Sequence, residues 1–351
     1  MRLAPHSLVM ENFGIWHSSN IIFIDWLFVP GVFVVLILAL ILDAIIGDPR
    51  WIPHPVRGIG VIIKFFDSIF NRAHYPKHFL RIFGFGLVVI ITIVFITVGW
   101  VITFYTAGIP FGWIIELVII MVMISQRSMI DHAWRVGRAL KSENLEVSRE
   151  KVGHIVGRDV ATLDKAGVSR AAIESISESF TDGVVAPIFW YLVGGLPGLL
   201  VFKAISTLDS MVGYRNPKYL DFGMAAARFD DILNWFPARI AGPIIALAAF
   251  FIPKASSIGA FYILFRDASK HNSPNAGWAE AAMAGALRIR LLGPRMYKSI
   301  EVLDASWIGD GKKEATFFDL LKAIHIYAIS CFILWVGIFM AIIFIKLLLV
   351  K

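Results

Sequence analysis

Four stretches of this chain place charged and polar side chains where they could handle phosphate, carboxylate or amine groups. The first is Ser169 to Gly183. Ile173, Ile176 and Phe180 recur on one face at helical spacing, and Glu174, Glu178 and Asp182, each four residues apart, recur on another. Ser169 is the expected N-cap and Gly183 the expected stop. A row of like charges at this spacing costs a few tenths of a kcal/mol per pair unless something offsets it. The row is therefore either a solvated face, with Arg170 one turn before Glu174 as a partner, or a site for Mg²⁺ or an amine, because hard cations prefer clustered carboxylate oxygens. The second stretch holds Asp230, Asp231 and Asn234, three oxygen-bearing side chains suited either to Mg²⁺ on a phosphate or to solvating a helix end. The third, Asp48 to Arg57, is stiffened by Pro49, Pro53 and Pro55 and carries Asp48, Arg50, His54 and Arg57. It suits an anionic group, or serves as a turn with basic topology determinants. The fourth begins Ser273-Pro-Asn275 and continues as a helix of small residues on which Glu280 is the one acid, either a lone surface acid or a site acid. Small residues there let a helix or flat ligand approach closely.

The elements that must position these groups are apolar. Of 351 residues, 58% are hydrophobic and 17% charged, with a mean hydropathy of +0.72. Soluble domains carry about 25% charged residues. Charge-free blocks run over 26–42, 82–115, 183–202, 240–253 and 323–345. A spanning helix needs about 20 mostly apolar residues, which predicts spans near 27–46, 82–106, 109–125, 184–204, 240–264 and 324–348. The fold class is thus an all-α polytopic integral membrane protein with about 5–6 transmembrane or re-entrant helices. Amphipathic helices and polar loops gather on one face. Residues 1–351 read as a single membrane domain, with 127–182 and 265–322 as its main cytoplasmic polar segments.

The first 28 residues lack the pattern of a cleaved signal and read as an extramembrane or interfacial arm. The net charge of +7 fits Lys and Arg retained in cytoplasmic loops. That logic places 50–81 and 127–182 in the cytoplasm and the uncharged Gly108 turn outside. Keeping the polar loop 206–239 on the same side requires an irregular or re-entrant segment. The cluster Gly194, Gly195, Pro197, Gly198 supplies a break, and Pro253 and Lys254 interrupt the next block.

Several chemistries are excluded. There is no Gly-rich Lys-Ser/Thr phosphate loop and no dinucleotide fingerprint between a strand and a helix. No paired Cys/His zinc pattern and no serine elbow occur. No compact basic module for nucleic acid is present. Cys331 is the only cysteine, so no intrachain disulfide can form.

Taken together, Gly47-Asp-Pro-Arg-Trp with His54-Pro-Val, Asp182-Gly-Val-Val-Ala-Pro187, Thr207-Leu-Asp-Ser-Met-Val-Gly-Tyr214, Ala227-Arg-Phe-Asp-Asp231, Pro237-Ala-Arg239, Ser273-Pro-Asn-Ala-Gly-Trp278 and Ile308-Gly-Asp-Gly311 resemble the CbiB/CobD family, in order from about residue 40 to about 325. Those are membrane-bound adenosylcobinamide-phosphate synthases of cobalamin biosynthesis. Ser179 and Ser206 stand where the family pattern has Asn, and Ala279 where it has Pro. The resemblance implies an acid–amine ligase of the cytoplasmic membrane. It would join aminopropanol, or its O-phosphate, through an amide bond to the free propionate of (adenosyl)cobyric acid, using ATP and Mg²⁺.

For such a reaction the candidate proton carriers are His54 and Glu174, with Glu178 and Asp182 beside them. Asp182, Asp230 and Asp231 are the metal candidates, and with Glu178 they are also candidates for binding the amine. Arg50, Arg57, Lys203, Arg215, Arg239, Asn275 and Glu280 are the candidates for binding substrate or phosphate. Trp51, Trp190, Trp235 and Trp278 would line a corrinoid site at the membrane surface, or simply pack. The implied partners are the corrinoid, the amino-alcohol phosphate and membrane lipid, with no nucleic acid. Oligomeric state is left open. Two other classes compete. A membrane signalling protein of the AmpE type would lack the clustered acids and the Ser-Pro-Asn turn. An intramembrane prenyltransferase would need a second acid-rich helix facing Asp230 and Asp231, and Asp209 stands alone.

Overall fold

The computed structural model describes residues 31–47, 55–293, 295–297, 300–302 and 306–349. Helices dominate: α1 (Val32–Ile46), α2 (Pro55–Phe70), α3 (Lys77–Ala107), α4 (Trp113–Met123), α5 (Gln126–Lys141), α6 (Leu145–Gly153) and α7 (Lys165–Phe180). A π-helical turn, Thr181–Val185, leads into α8 (Ala186–Val212). Then follow α9 (Met224–Leu233), α10 (Trp235–Ala248), α11 (Ser257–Asp267), α12 (Ala276–Leu287) and, after four short strands, α13 (Phe317–Leu349). The strands β1 (Leu291–Leu292) and β4 (Trp307–Ile308) pair antiparallel, as do β2 (Arg295–Tyr297) and β3 (Ile300–Val302).

Four helical stretches are long and apolar enough to cross a membrane: Lys77–Ala107, Trp113–Lys141, Lys165–Val212 and Phe317–Phe344. Met224–Leu233 with Trp235–Phe251, bent by 52°, makes a fifth if counted as one span. The chain is an all-α polytopic membrane protein. Two expected boundaries move. The predicted span 184–204 is the second half of a 48-residue run, about 70 Å at 1.5 Å per residue and far more than one bilayer crossing needs. Gly195 breaks that run with φ 60°, ψ −153°, just before Pro197. This backbone region is essentially restricted to glycine, and the Gly/Pro cluster forecast the break. The predicted span 240–264 is two helices. A 3₁₀ turn ends the first at Phe251, and Ser256 caps the second by accepting the Gly259 N–H at 3.0 Å.

Backbone contacts divide the chain into two compact units. The first holds residues up to Ile124 and Pro187–Asp230. Its long helix α3 buries one stripe, Gly84, Leu87, Val88, Ile91, Phe95, Gly99 and Thr106. Phe85, Ile93, Ile96, Trp100 and Phe104 stay exposed. In a bilayer those side chains meet hydrocarbon, so close packing rather than water exclusion must hold the stripe. Glycine permits it: a Cβ on Gly99 would lie 2.6 Å from Pro197 Cα, and one on Gly84 would lie 1.9 Å from Phe222 O.

The second unit comprises Ser125–Ala186 and Asp231–Lys351. Helix α7 is its axis and packs against α5, α12 and α13. It is buried nearly all round, including Ala171, Ala172, Ile173, Ile176 and Phe180. It is therefore a core helix and not the amphipathic one its spacing suggests. Its N-cap is Asp164, whose carboxylate accepts the Gly167 N–H at 2.6 Å, while the Ser169 hydroxyl back-bonds to Lys165 O. Gly183 does not stop the helix. It sits in the π turn, where its carbonyl accepts the Ser125 N–H at 2.9 Å. Helices α11 and α12 meet backbone to backbone, and a Cβ on Gly285 would fall 2.3 Å from Gly259 O.

Candidate functional site

The described part of the second unit contains a cavity of about 410 Å³ beside the first turn of α12. Arg239, Leu264, Phe265, Ala268, Ser269, His271, Asn272, Pro274 and Trp278 line it. Arg239 is its charged group. One turn into α10, the guanidinium lies 4.1 Å from the Trp235 ring centroid and 4.9 Å from that of Trp278. The Trp235–Arg239 pair has the i, i+4 spacing that brings side chains together on a helix. Stacking on two indoles supplies cation–π attraction and confines the guanidinium plane. Nη1 donates to Trp235 O at 2.8 Å and to Asn275 Oδ1 at 3.1 Å. Among the described residues, no carboxylate lies within ion-pair distance of Arg239, and neither Nε nor Nη2 has an acceptor. That edge offers two parallel N–H donors, the geometry that grips a carboxylate or phosphate.

The turn before α12 explains why Asn275 is available. Asn275 occupies the N-cap position but makes no side-chain cap. The Ser273 hydroxyl does that work, accepting the N–H groups of Asn275 and Ala276 at 3.2 Å. The Asn275 amide is released to bridge, donating Nδ2 to Asp231 O at 2.8 Å and to Asp231 Oδ1 at 3.4 Å. His271 closes the turn, its Nδ1 accepting the Ser273 N–H at 2.8 Å. In the neutral ring the proton then sits on Nε2, which faces the buried Glu280 carboxylate at 3.6 Å.

The structure thus brings Arg239, Asn275, Asp231 and Glu280 to one region of the second unit. Asp230 precedes Asp231 on α9 and is half-buried. The row Glu174, Glu178, Asp182 does not share one environment. Glu174 is buried and pairs with Arg158 at 2.8 Å, while its other oxygen accepts the Leu292 N–H at 2.8 Å. Arg170 serves elsewhere, bonding Lys313 O and lying over Trp307. Glu178 is exposed, and Asp182 lies half-buried in the π turn. Lys203 on α8 is half-buried, Arg215 lies exposed in the loop after α8, and Arg57 is exposed on α2, all in the first unit. Trp190, on α8 in that unit, packs edge-on against Phe189. Arg50, Trp51 and His54 lie outside the described residues. Among the described residues, no three His, Cys, Asp or Glu side chains gather as a metal cage. Mg²⁺ is commonly held by one or two carboxylates, waters and substrate phosphates, a role that the adjacent Asp230 and Asp231 fit in donor type.

Spacing alone missed three participants. His271 precedes the Ser-Pro-Asn turn by two residues, and that interval was its only signal. Arg158 neutralises Glu174 from sixteen residues away. Asp267 is fully buried at the end of α11. Burial pushes its carboxyl up, but the Arg266 guanidinium, Lys270 and the Gly309 N–H more than reverse this and hold it well below the usual carboxylate range. Arg266 also pairs with Asp310. The run Ile308-Gly-Asp-Gly311 is thereby a brace: Gly309 takes φ 88°, and a Cβ on Gly311 would lie 1.8 Å from Arg288 O.

A model of the CobD/Cbib protein family matches residues 36–327. A Sinorhizobium protein named "Cobalamin biosynthesis protein CobD" is 41% identical over 307 residues, covering 86% of this chain and 95% of its own length. A protein of the same name from Sinorhizobium fredii is 43% identical over 307 residues, covering 86% and 94%. One from Halalkalibacterium halodurans is 38% identical over 293 residues, covering 84% and 91%. No solved structure matches. The chain belongs to the CobD/Cbib family.

Proposed function

We propose that this protein is an acid–amine ligase of cobalamin biosynthesis in the cell membrane. It joins aminopropanol, or its O-phosphate, to the free propionate of (adenosyl)cobyric acid and gives (adenosyl)cobinamide or its phosphate. The observation that carries this reading is Arg239, stacked between two indoles, steered by Asn275, and presenting an unopposed donor edge beside a cavity. Both substrates carry an oxyanion, and that edge binds one. A carboxylate and an amine do not condense usefully in water. ATP with Mg²⁺, when bound, supplies the leaving group that the carboxylate lacks.

The residues then do four jobs. Arg239 holds an oxyanion and resists rotation. Asn275 couples Arg239 to Asp231, so a ligand pulling on one strains the other. Asp231, with Asp230 or Asp182, holds the cation that accompanies phosphate. Glu280 and His271 form a buried acid and imidazole pair able to take up the proton released when the amine attacks. His54, Glu178, Lys203, Arg50, Arg57 and Arg215 remain candidates for the macrocycle or the nucleotide.

Incubation of the full chain in lipid nanodiscs with cobyric acid, aminopropanol phosphate and Mg-ATP, followed by mass spectrometry, tests the proposal. The expected product is cobyric acid heavier by one dehydrated aminopropanol phosphate. Asp231→Asn and Asp182→Asn are expected to abolish turnover with membrane insertion intact. Unchanged corrinoid mass in the wild type sinks the reading.

A further inference from the structure

We infer that the cavity beside α12 is the subsite for the phosphate monoester of the amine, and that Arg239 sets the preference for phosphorylated over unphosphorylated amines. The inference rests on the ligase reading and deepens it. Four observations carry it. The cavity is lined by one cation, by the polar side chains of Ser269, His271 and Asn272, and by no carboxylate. The Arg239 edge formed by Nε and Nη2 meets no acceptor among the described residues. Pro274 and Trp278, on either side of the first turn of α12, line the same cavity. They set it at the N-terminus of a twelve-residue helix, the end that favours negative charge. Finally, about 410 Å³ admits a small phosphate ester and the end of a propionate arm, but not a corrin macrocycle.

Charge decides between the two oxyanions. A phosphate monoester carries between one and two negative charges near neutral pH and three acceptor oxygens. A propionate carries one charge and two oxygens. A fixed bidentate cation, a helix N-terminus and nearby hydroxyl and amide donors favour the phosphate. Its apolar neighbours, Leu264, Phe265 and Ala268, suit the short carbon chain of the amino alcohol.

The test has two readouts on the full chain in nanodiscs of zwitterionic lipid. The first is kinetic, with corrinoid saturating: kcat/KM for aminopropanol phosphate divided by that for aminopropanol. In Arg239→Gln this ratio should fall on the order of 10- to 100-fold, the range for losing charged hydrogen bonds. In Asn272→Asp, which places an acid on the cavity wall, it should fall at least tenfold. The second is equilibrium binding of radiolabelled aminopropanol phosphate without corrinoid or ATP, lost in both variants and retained in part by Arg239→Lys. Thermal melts separate misfolding from loss of the subsite. A ratio unchanged in both variants, or a rise confined to the corrinoid KM, overturns the assignment. Displacement of the label by ATP or phosphatidic acid, but not by unlabelled aminopropanol phosphate, also overturns it in favour of a nucleotide or lipid phosphate. If no amine is turned over yet the label binds and both variants lose it, the ligase reading fails and the phosphate subsite stands.

Discussion

Glu174 entered as a candidate proton carrier, and its surroundings predict a different consequence of removing it. Its carboxylate is about nine-tenths buried, as is the Arg158 side chain, and they meet at 2.8 Å. Its second oxygen holds the Leu292 N–H, which fixes β1 against α7. Truncating one partner of a buried pair leaves an uncompensated charge and costs about 3–5 kcal/mol. Arg158→Met is therefore expected to destabilise by that amount. Glu174→Gln keeps an acceptor for Leu292 but strands the guanidinium, and belongs in the same range. Since about 1 kcal/mol moves the midpoint of a domain of this size by about 2–4 °C, each single variant should melt about 6–20 °C lower. The double variant Arg158→Met with Glu174→Gln should recover much of the loss, because no buried charge then lacks a partner. Differential scanning fluorimetry in nanodiscs measures the melts, and the four-way cycle isolates the coupling. Turnover per folded molecule in Glu174→Gln should stay within a few-fold of wild type. A Glu174→Gln protein that melts like wild type yet has lost turnover would refute this reasoning and return Glu174 to proton transfer.

Other outcomes follow from close contacts and charge. Gly285→Ala puts a methyl against Gly259 O and should cost at least about 1–3 kcal/mol by forcing α11 from α12; an unchanged melt would deny that contact. Gly195→Ala must strain a backbone at φ 60°, ψ −153°, and should cost about 1–3 kcal/mol, read by the same melt. Asp267 has a folded pKa below its unfolded value, so its stabilisation is present above about pH 4 and is lost as pH falls through the lower folded value. A wild-type melt that declines below about pH 4, and a flatter profile in Asp267→Asn, are expected from scans between neutral and acid pH.

The apolar blocks were legible because membrane-spanning helices announce themselves by length and missing charge. The break at Gly195 was legible because Gly and Pro punctuate backbone locally. Arg239, Asn275 and Asp231 could be selected by residue type, but that they meet could not be read, since α9, α10 and the turn before α12 are brought together only by packing. Ser169 looked like a cap because the real one, Asp164, precedes the apolar repeat by several residues. Helix α7 looked amphipathic because its acids suggested a wet face. Arg158 removes that need for Glu174, and nothing in the spacing of 158 and 174 signals it. The short strands after α12 contain too few residues to show alternation.

The π turn at Thr181–Val185 has a genetic corollary. A wide turn holds one residue more than an α-helical turn needs, so losing one residue within it would let regular winding resume with the surrounding helix intact. Such a deletion would rotate everything beyond it by roughly 100° relative to α7, the angle per residue of a 3.6-fold helix. Asp182 and the start of α8 would then face new neighbours. A frame-preserving loss of one codon here should yield a protein that inserts and folds locally but is misaligned along its longest helical run, a defect that no single amino-acid exchange reproduces.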